Sequence, residues 1–244
     1  MNNVQDMKNM IRLKDGVQVT RHTVIRLSLY YRVLEDMDRS DIKVTSSTEL
    51  GRLCGIGPAS IRKDLSYFGE FGKKGVGYSV QKLLWWISEI LGYRKCWNTA
   101  LVGVGVPLMP VNQYFSFMPP GFQLTALFDV DESYQGMTVP ESDMEVYSLS
   151  MLERVVKAKQ ISIGLLAVTA EYAQYVANRL IDAGVFAISN FSPVHITTPE
   201  YVALVQMNFS DGLSQLSYQL QQNHPVQRLQ VGKLQRTLRK TGIL

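Results

Sequence analysis

The residues best equipped for chemistry lie between Ser60 and Lys74. Ser60, Arg62 and Lys63 stand in the first turns of an expected helix, and Lys73 and Lys74 are framed by Gly72 and Gly75. Hydroxyl and cationic groups in this pattern suit recognition of duplex DNA. Small residues let a helix approach base edges closely, and the cations reach guanine acceptors or phosphates. Catalysis has no comparable set. His22, His195 and His224 are the 3 histidines and form no acid–base arrangement. Asp129 and Asp131, two apart at an expected strand end, make no catalytic pair.

The surrounding residues dictate elements that would present this set. Val24, Ile25, Leu27, Leu29, Tyr30, Val33, Leu34 and Met37 recur at helical spacing and predict a helix over Thr23 to Met37. Ser46 with Glu49 fits a capping box for a short helix from Thr48 to Cys54, ended by Gly55. Ile56-Gly57 forms a tight turn, and Pro58 opens the next helix, as a first-turn proline should. In that helix Ile61, Leu65 and Phe68 face inward, which turns Ser60, Lys63 and Arg62 outward. The stretch Gly69 to Tyr78 then reads as a hairpin. Alone it is equally an ordinary turn with solvated lysines; directly after a helix-turn-helix it reads as a wing that lays Lys73 and Lys74 on DNA.

Charge distribution agrees with a DNA-binding N-terminal part. The net charge is +6 over residues 1–97, −7 over 98–221 and +5 over 222–244. The two ends suit a polyanion and the middle does not. The basic tail carries Leu229, Leu234 and Leu238 among Arg228, Lys233, Arg236, Arg239 and Lys240. It reads as a solvated tail first and a supplementary DNA contact second. Cys54 and Cys96 form no metal or disulfide pattern and read as reduced thiols. No metal, signal segment or membrane span is expected, and the expected location is the cytoplasm.

The middle of the chain alternates strand and helix patterns. Strands are predicted at Thr99–Val102, Gln123–Phe128, Ile161–Val168, Phe186–Asn190 and Val202–Met207, with helices at Leu149–Ala158 and Glu171–Ala183. This predicts a parallel α/β sheet. Gly103 and Gly105 follow the first strand, and Asp129 ends the second, where a Rossmann acidic residue grips an adenosine ribose. The fingerprint is broken at Leu108, which stands at the third glycine, and at Pro110, which cannot donate its N–H to a helix start. These two residues count against a firm grip on pyrophosphate.

Taken together, the chain resembles the Rex family of bacterial redox-sensing repressors. The most specific stretches are Ser60 to Glu70 and Gly72 to Tyr78. Ala100 to Gly105, Phe128 to Asp131, Asn190 to Pro193 and Leu213 to Leu220 also match. The resemblance implies an α/β protein with an N-terminal winged helix-turn-helix domain, a Rossmann-like parallel α/β domain and a C-terminal swapped helix. The implied division is an arm at 1–20, a DNA-binding domain at 21–95, a dinucleotide-binding domain at 96–205 and a dimerisation helix with tail at 206–244. The implied partners are operator DNA and a second copy of the chain in a homodimer with C-terminal helix exchange. The implied cofactor is NAD(H), with DNA released on binding NADH.

Carried over by position, Ala59, Ser60 and Lys63 enter the major groove, and Ser46, Ser47 and Arg62 help on the backbone. Lys73 and Lys74 form the wing. Gly103, Gly105 and Asp129 hold the dinucleotide, Tyr114 and Asn190 lie near its nicotinamide half, and Phe209 meets the partner's nicotinamide pocket.

Departures gather in the sensing half. Ala170 stands for proline, Ser192 for alanine, Asn208 for aspartate and Gly212 for glutamate. The family aspartate at position 208 pairs with groups at positions 114 and 26, here Tyr114 and Arg26. Asn208 carries no charge, so a redox-dependent ion pair would be lost. Three functional readings follow: a repressor answering to the NADH/NAD⁺ ratio, a paralogue on similar operators with weakened redox response, and an NAD-dependent oxidoreductase.

Overall fold

A computed structural model describes residues 19–73, 75–105, 118–140, 142–207 and 209–223. The chain divides into two compact units. One holds the first 96 residues with Pro119–Phe122, and the other holds Trp97–Met118 with Gln123–Leu244.

The first unit starts with α1 (Arg21–Arg39), capped by the Thr20 side chain, which accepts from the Thr23 N–H. Then come β1 (Val44–Thr45), α2 (Ser47–Cys54), α3 (Pro58–Ser66), β2 (Gly72–Lys73), β3 (Gly77–Ser79) and α4 (Val80–Ile90). Local chemistry sets these boundaries. Ser46 Oγ accepts from the Glu49 N–H at 3.0 Å. This is half of the expected capping box, because the Glu49 carboxylate turns to Arg52 instead. Gly55 closes α2 in the left-handed region at φ 65°, which a residue without Cβ adopts at little cost. Pro58 then opens α3.

Leu27, Tyr30 and Leu34 of α1 pack with Leu50, Ile61, Leu65, Leu83 and Ile87 in one core. Each such side chain contributes about 1.5–3 kcal/mol on burial. The three strands form a small antiparallel sheet in the order β1-β3-β2. Three helices with a strand pair after the third α-helix of the series make a winged helix-turn-helix.

The second unit is built on β4 (Trp97–Val102), β5 (Phe122–Asp129), β6 (Thr138–Val139), β7 (Met144–Ser148), α5 (Leu152–Ala158), β8 (Ile163–Leu166), α6 (Ala170–Asp182), β9 (Ala187–Asn190), β10 (Ala203–Gln206) and α7 (Phe209–Asn223). The sheet order is β10-β9-β8-β4-β5-β7-β6. β4 with β8, β8 with β9, β9 with β10 and β5 with β7 pair in parallel. The six strands other than β6 follow the doubly wound nucleotide-binding order.

The five predicted strands are present. β7 is an addition, and β6 pairs with it antiparallel. One face of the sheet packs Ala100, Val102, Ala126 and Phe128 against α5 and α6 through Val155, Val176 and Leu180. Leu101, Leu124, Leu127 and Val146 line a second cluster. Alternate residues of β4, and Ala126, Leu127 and Phe128 of β5, thus feed two layers, as a sheet covered on both faces requires, while Leu124 at the start of β5 departs from that alternation.

Candidate DNA-reading face and dinucleotide cleft

In the first unit, Ile61 and Leu65 hold α3 against the core, while Ala59, Ser60, Arg62 and Lys63 are exposed. Four of the expected contact residues therefore share the outer side of one helix. Arg62 Nη1 donates to Ser47 Oγ at 2.9 Å, which places a cation and a hydroxyl together at the start of α2. Ser46 and Ser47 also line a groove of about 560 Å³ with Arg62, Ser66, Glu70, Gly75 and Tyr78, between α3 and the β2–β3 hairpin. Ser46 is committed to its capping bond through its own oxygen. Lys73 lies on β2, and Lys74 is outside the described residues.

Behind α3 sits a buried polar cluster that sequence reading missed. Asp64 is 1% exposed. Its Oδ2 accepts from Arg26 Nε at 2.6 Å and Tyr30 OH at 2.8 Å. Its Oδ1 accepts from Arg26 Nη2 at 2.7 Å and Thr23 Oγ1 at 3.3 Å. Burial pushes this carboxyl up, but the hydrogen bonds from Arg26 and Tyr30 outweigh it and hold the group below its usual range. The same contacts raise Arg26, and burial followed by the Asp64 contact raises Tyr30. An Asp beside Arg62 and Lys63 reads as an exposed helix charge. Its partners lie 34 to 41 residues away, so no local pattern reveals them. Arg26, expected by resemblance to face position 208, is here the partner of Asp64. Asn208 is outside the described residues.

In the second unit, Gly103, Gly105 and Asp129 meet in a cleft of about 350 Å³, with Val130, Asp131, Tyr134, Val168, Thr169, Glu171 and Tyr172. It opens at the carboxyl ends of β4, β5 and β8, where the strand order reverses and open α/β sheets bind ligands. Gly103 must be glycine for two reasons. Its φ is 102°, and a Cβ would lie 2.0 Å from the Ala167 carbonyl oxygen. Asp129 is 3% exposed and accepts from the N–H groups of Val104 at 2.6 Å and Gly105 at 3.0 Å. Its other oxygen accepts from the Asp131 N–H at 2.9 Å. The carboxylate thus locks the glycine loop to the end of β5 and stays at the cleft wall, where hydroxyl donors of a ribose can reach it. Tyr134 and Tyr172 are cleft residues that the sequence reading did not include. Their signal was position, just past two strand ends.

Asn190 is fully buried. Its amide nitrogen donates to the Val194 carbonyl at 2.8 Å and to Gln206 Oε1 at 2.6 Å, and its oxygen accepts from the Ser192 N–H at 3.0 Å. It organises the loop after β9 and does not line the cleft. The departure at Ser192 is accommodated, since its Oγ accepts from the Val168 N–H at 3.3 Å. Ala170 opens α6 without strain. Phe209 begins α7; Tyr114, Leu108 and Pro110 are outside the described residues. Among the described residues no group of three or more His, Cys, Asp or Glu could hold a metal ion, and no helix is long and apolar enough to cross a membrane.

Comparison with known proteins decides the family. Residues 18–66 match the family described as Putative DNA-binding protein N-terminus, and residues 94–194 match the CoA binding domain family. The redox-sensing transcriptional repressor Rex of Syntrophobacter fumaroxidans is 40% identical over 198 residues, 81% of this chain and 94% of that protein. Its namesake in Desulfitobacterium hafniense is 41% identical over 202 residues, 83% of this chain and 95% of that protein. The chain belongs to the Rex family of redox-sensing transcriptional repressors. The Rex-family repressor RSP has been solved with β-NAD⁺ and operator DNA. It superposes with a TM-score of 0.78 at 35% identity, over 88% of this chain and 98% of RSP. RSP solved with β-NADH superposes with a TM-score of 0.73 at 33% identity, over 88% of this chain and all of RSP. Both Rex regions, the winged helix and the Rossmann-like sheet, are thus present here in the family's order.

Proposed function

We propose that this chain is a Rex-type transcriptional repressor whose grip on operator DNA answers to the NADH/NAD⁺ ratio, and that it is not an enzyme. The observation that carries the reading is the exposed face of α3, which offers Ala59, Ser60, Arg62 and Lys63 from a winged helix. Ser60 and Lys63 read base edges. Ser47 and Arg62 hold the backbone, and Lys73 and Lys74 lie along it from the wing.

The dinucleotide cleft fits NAD(H) in its adenosine half. Gly103 lets the loop pack closely on Ala167 at the end of β8, and Asp129 lines the cleft where ribose hydroxyls would lie. The bound dinucleotide supplies the redox-dependent change in its nicotinamide ring; the chain binds and orients it. Burial pushes the Cys54 thiol up, away from the reactive thiolate.

A homodimer with exchanged C-terminal helices suits α7, whose Leu213, Leu216 and Leu220 form an exposed apolar stripe at helical spacing. Phe209, which begins that helix, and Tyr114 are the residues that the family pattern assigns to the nicotinamide half. The cytoplasm is the compartment where such a repressor meets both DNA and NADH. Of the departures among the described residues, Ser192 and Ala170 leave the cleft intact and Gly212 lies within the α7 helix, so the redox-blind paralogue is the weaker reading.

Operator binding of the full chain tests this. Lys63→Ala should lower operator affinity by about 1–3 kcal/mol and relax specificity at one base position. Lys73→Ala with Lys74→Ala should weaken all duplexes alike and lower the salt slope by about 2. Binding indifferent to both variants would overturn the assignment.

A further inference from the structure

The recognition helix carries one buried carboxylate that the DNA-reading face does not use. Asp64 is the immediate neighbour of Lys63 and lies one turn beyond Ser60. We propose that Asp64 is the positioning residue that sets the rotation of α3 on α1, and with it the selectivity for operator over other DNA. The inference rests on the DNA-binding reading above.

The geometry supports more than simple anchoring. An ionised carboxylate has about four acceptor sites, and here all four are taken. The donors Thr23, Arg26 and Tyr30 are spaced three and four residues apart, so they form one stripe along α1. Thr23 also accepts from Arg26 Nη2 at 3.2 Å, which gives the guanidinium a further anchor on α1. A bidentate guanidinium–carboxylate pair fixes direction as well as distance. The other contacts of α3 with the core, through Ile61 and Leu65, are apolar and non-directional. They turn the apolar side of α3 inward, and the carboxylate clamp sharpens that setting by fixing direction as well as distance.

A helix turns about 100° per residue. A modest rotation of α3 therefore moves Ser60 and Lys63 off the base edges they address. Such a rotation leaves phosphate contacts almost unchanged, because those cations reach any nearby phosphate. The clamp therefore bears on selectivity more than on general affinity. A buried ion pair of this kind is often replaceable by apolar groups without loss of stability, which leaves orientation as its distinctive contribution.

The test uses the full chain and two probes at fixed salt: the duplex that the unmodified chain enriches from a random-sequence pool, and poly(dI-dC). The variant Arg26→Met/Tyr30→Phe/Asp64→Leu removes the directional contacts and keeps an apolar core. It should fold, bind poly(dI-dC) with unchanged affinity and salt slope, and lose about tenfold or more in its ratio of selected-duplex to poly(dI-dC) affinity. Tyr30→Phe and Thr23→Val, each deleting one bond, should lower the same ratio by smaller factors, and they serve if the triple variant does not fold. Equal loss on both probes, or an unchanged ratio in the folded variants, overturns the proposal. An unmodified chain that enriches no duplex overturns the DNA-binding reading instead.

Discussion

In the winged-helix unit the functional groups are side chains on an open helix face, aimed from behind by packing and by the Asp64 cluster. In the Rossmann unit the functional groups are largely backbone at strand ends, aimed by a glycine and by one carboxylate that accepts loop N–H groups. The first arrangement tolerates change at individual contacts, because each side chain adds its own increment. The second does not tolerate change at its pivots, because Gly103 and Asp129 hold the shape on which all other contacts depend.

The largest expected effect follows from that asymmetry. Gly103→Val places side-chain atoms against the Ala167 carbonyl at a φ of 102°. It should destabilise the Rossmann unit by about 3 kcal/mol or more and remove nucleotide binding, as thermal denaturation and NADH titration will show. Asp129→Asn comes next. Its amide nitrogen replaces one of the two oxygens that accept the Val104, Gly105 and Asp131 N–H groups, and the charge toward ribose hydroxyls is lost, so NADH affinity should fall by about 1.5–3 kcal/mol while ligand-free DNA affinity holds. Calorimetric titration beside an operator-binding assay separates the two.

A smaller effect concerns pH. The folded Asp64 carboxyl lies below its ordinary value. Its contribution to stability is therefore complete above about pH 4, the ordinary carboxylate range, and is lost as pH falls through the lower folded value. Denaturation of the wild-type chain should show that loss as the pH falls below about 4. The Asp64→Asn variant should be less stable throughout, with a flatter acid limb. Smallest of all, Arg52→Ala removes an exposed pair with Glu49 on α2 and should leave the melting temperature unchanged within error.

The same contrast explains what the sequence revealed. The helix-turn-helix was legible because its signals are local. The cap at Ser46, the left-handed Gly55, Pro58 and the Ile61–Leu65 stripe all lie within about one helical turn of what they specify. The Rossmann order was partly legible. β4 and β5 carry the apolar runs Ala100–Val102 and Ala126–Phe128, whereas in β7 Glu145 interrupts Met144, Val146 and Tyr147. Its place beside β5 comes from pairing with Leu127 to Asp129, a tertiary fact.

The polar cluster behind α3 was not legible, because it depends on residues that only packing brings together. Asn190 shows the reverse. Its motif marked it for the ligand, while its buried amide is spent on Val194, Ser192 and Gln206. Leu108, Pro110 and Asn208, the strongest sequence arguments for altered sensing, concern positions outside the described residues.

A Rex-type repressor joins a DNA-reading face to a dinucleotide cleft, so the most direct test measures both at once. Affinity for the selected duplex should be taken at one salt concentration with no ligand, with NAD⁺ and with NADH. Tight binding is expected without ligand and with NAD⁺, with a fall of about tenfold or more with NADH. Equal affinity in all three conditions, at NADH levels shown by titration to saturate the cleft, would contradict that reading.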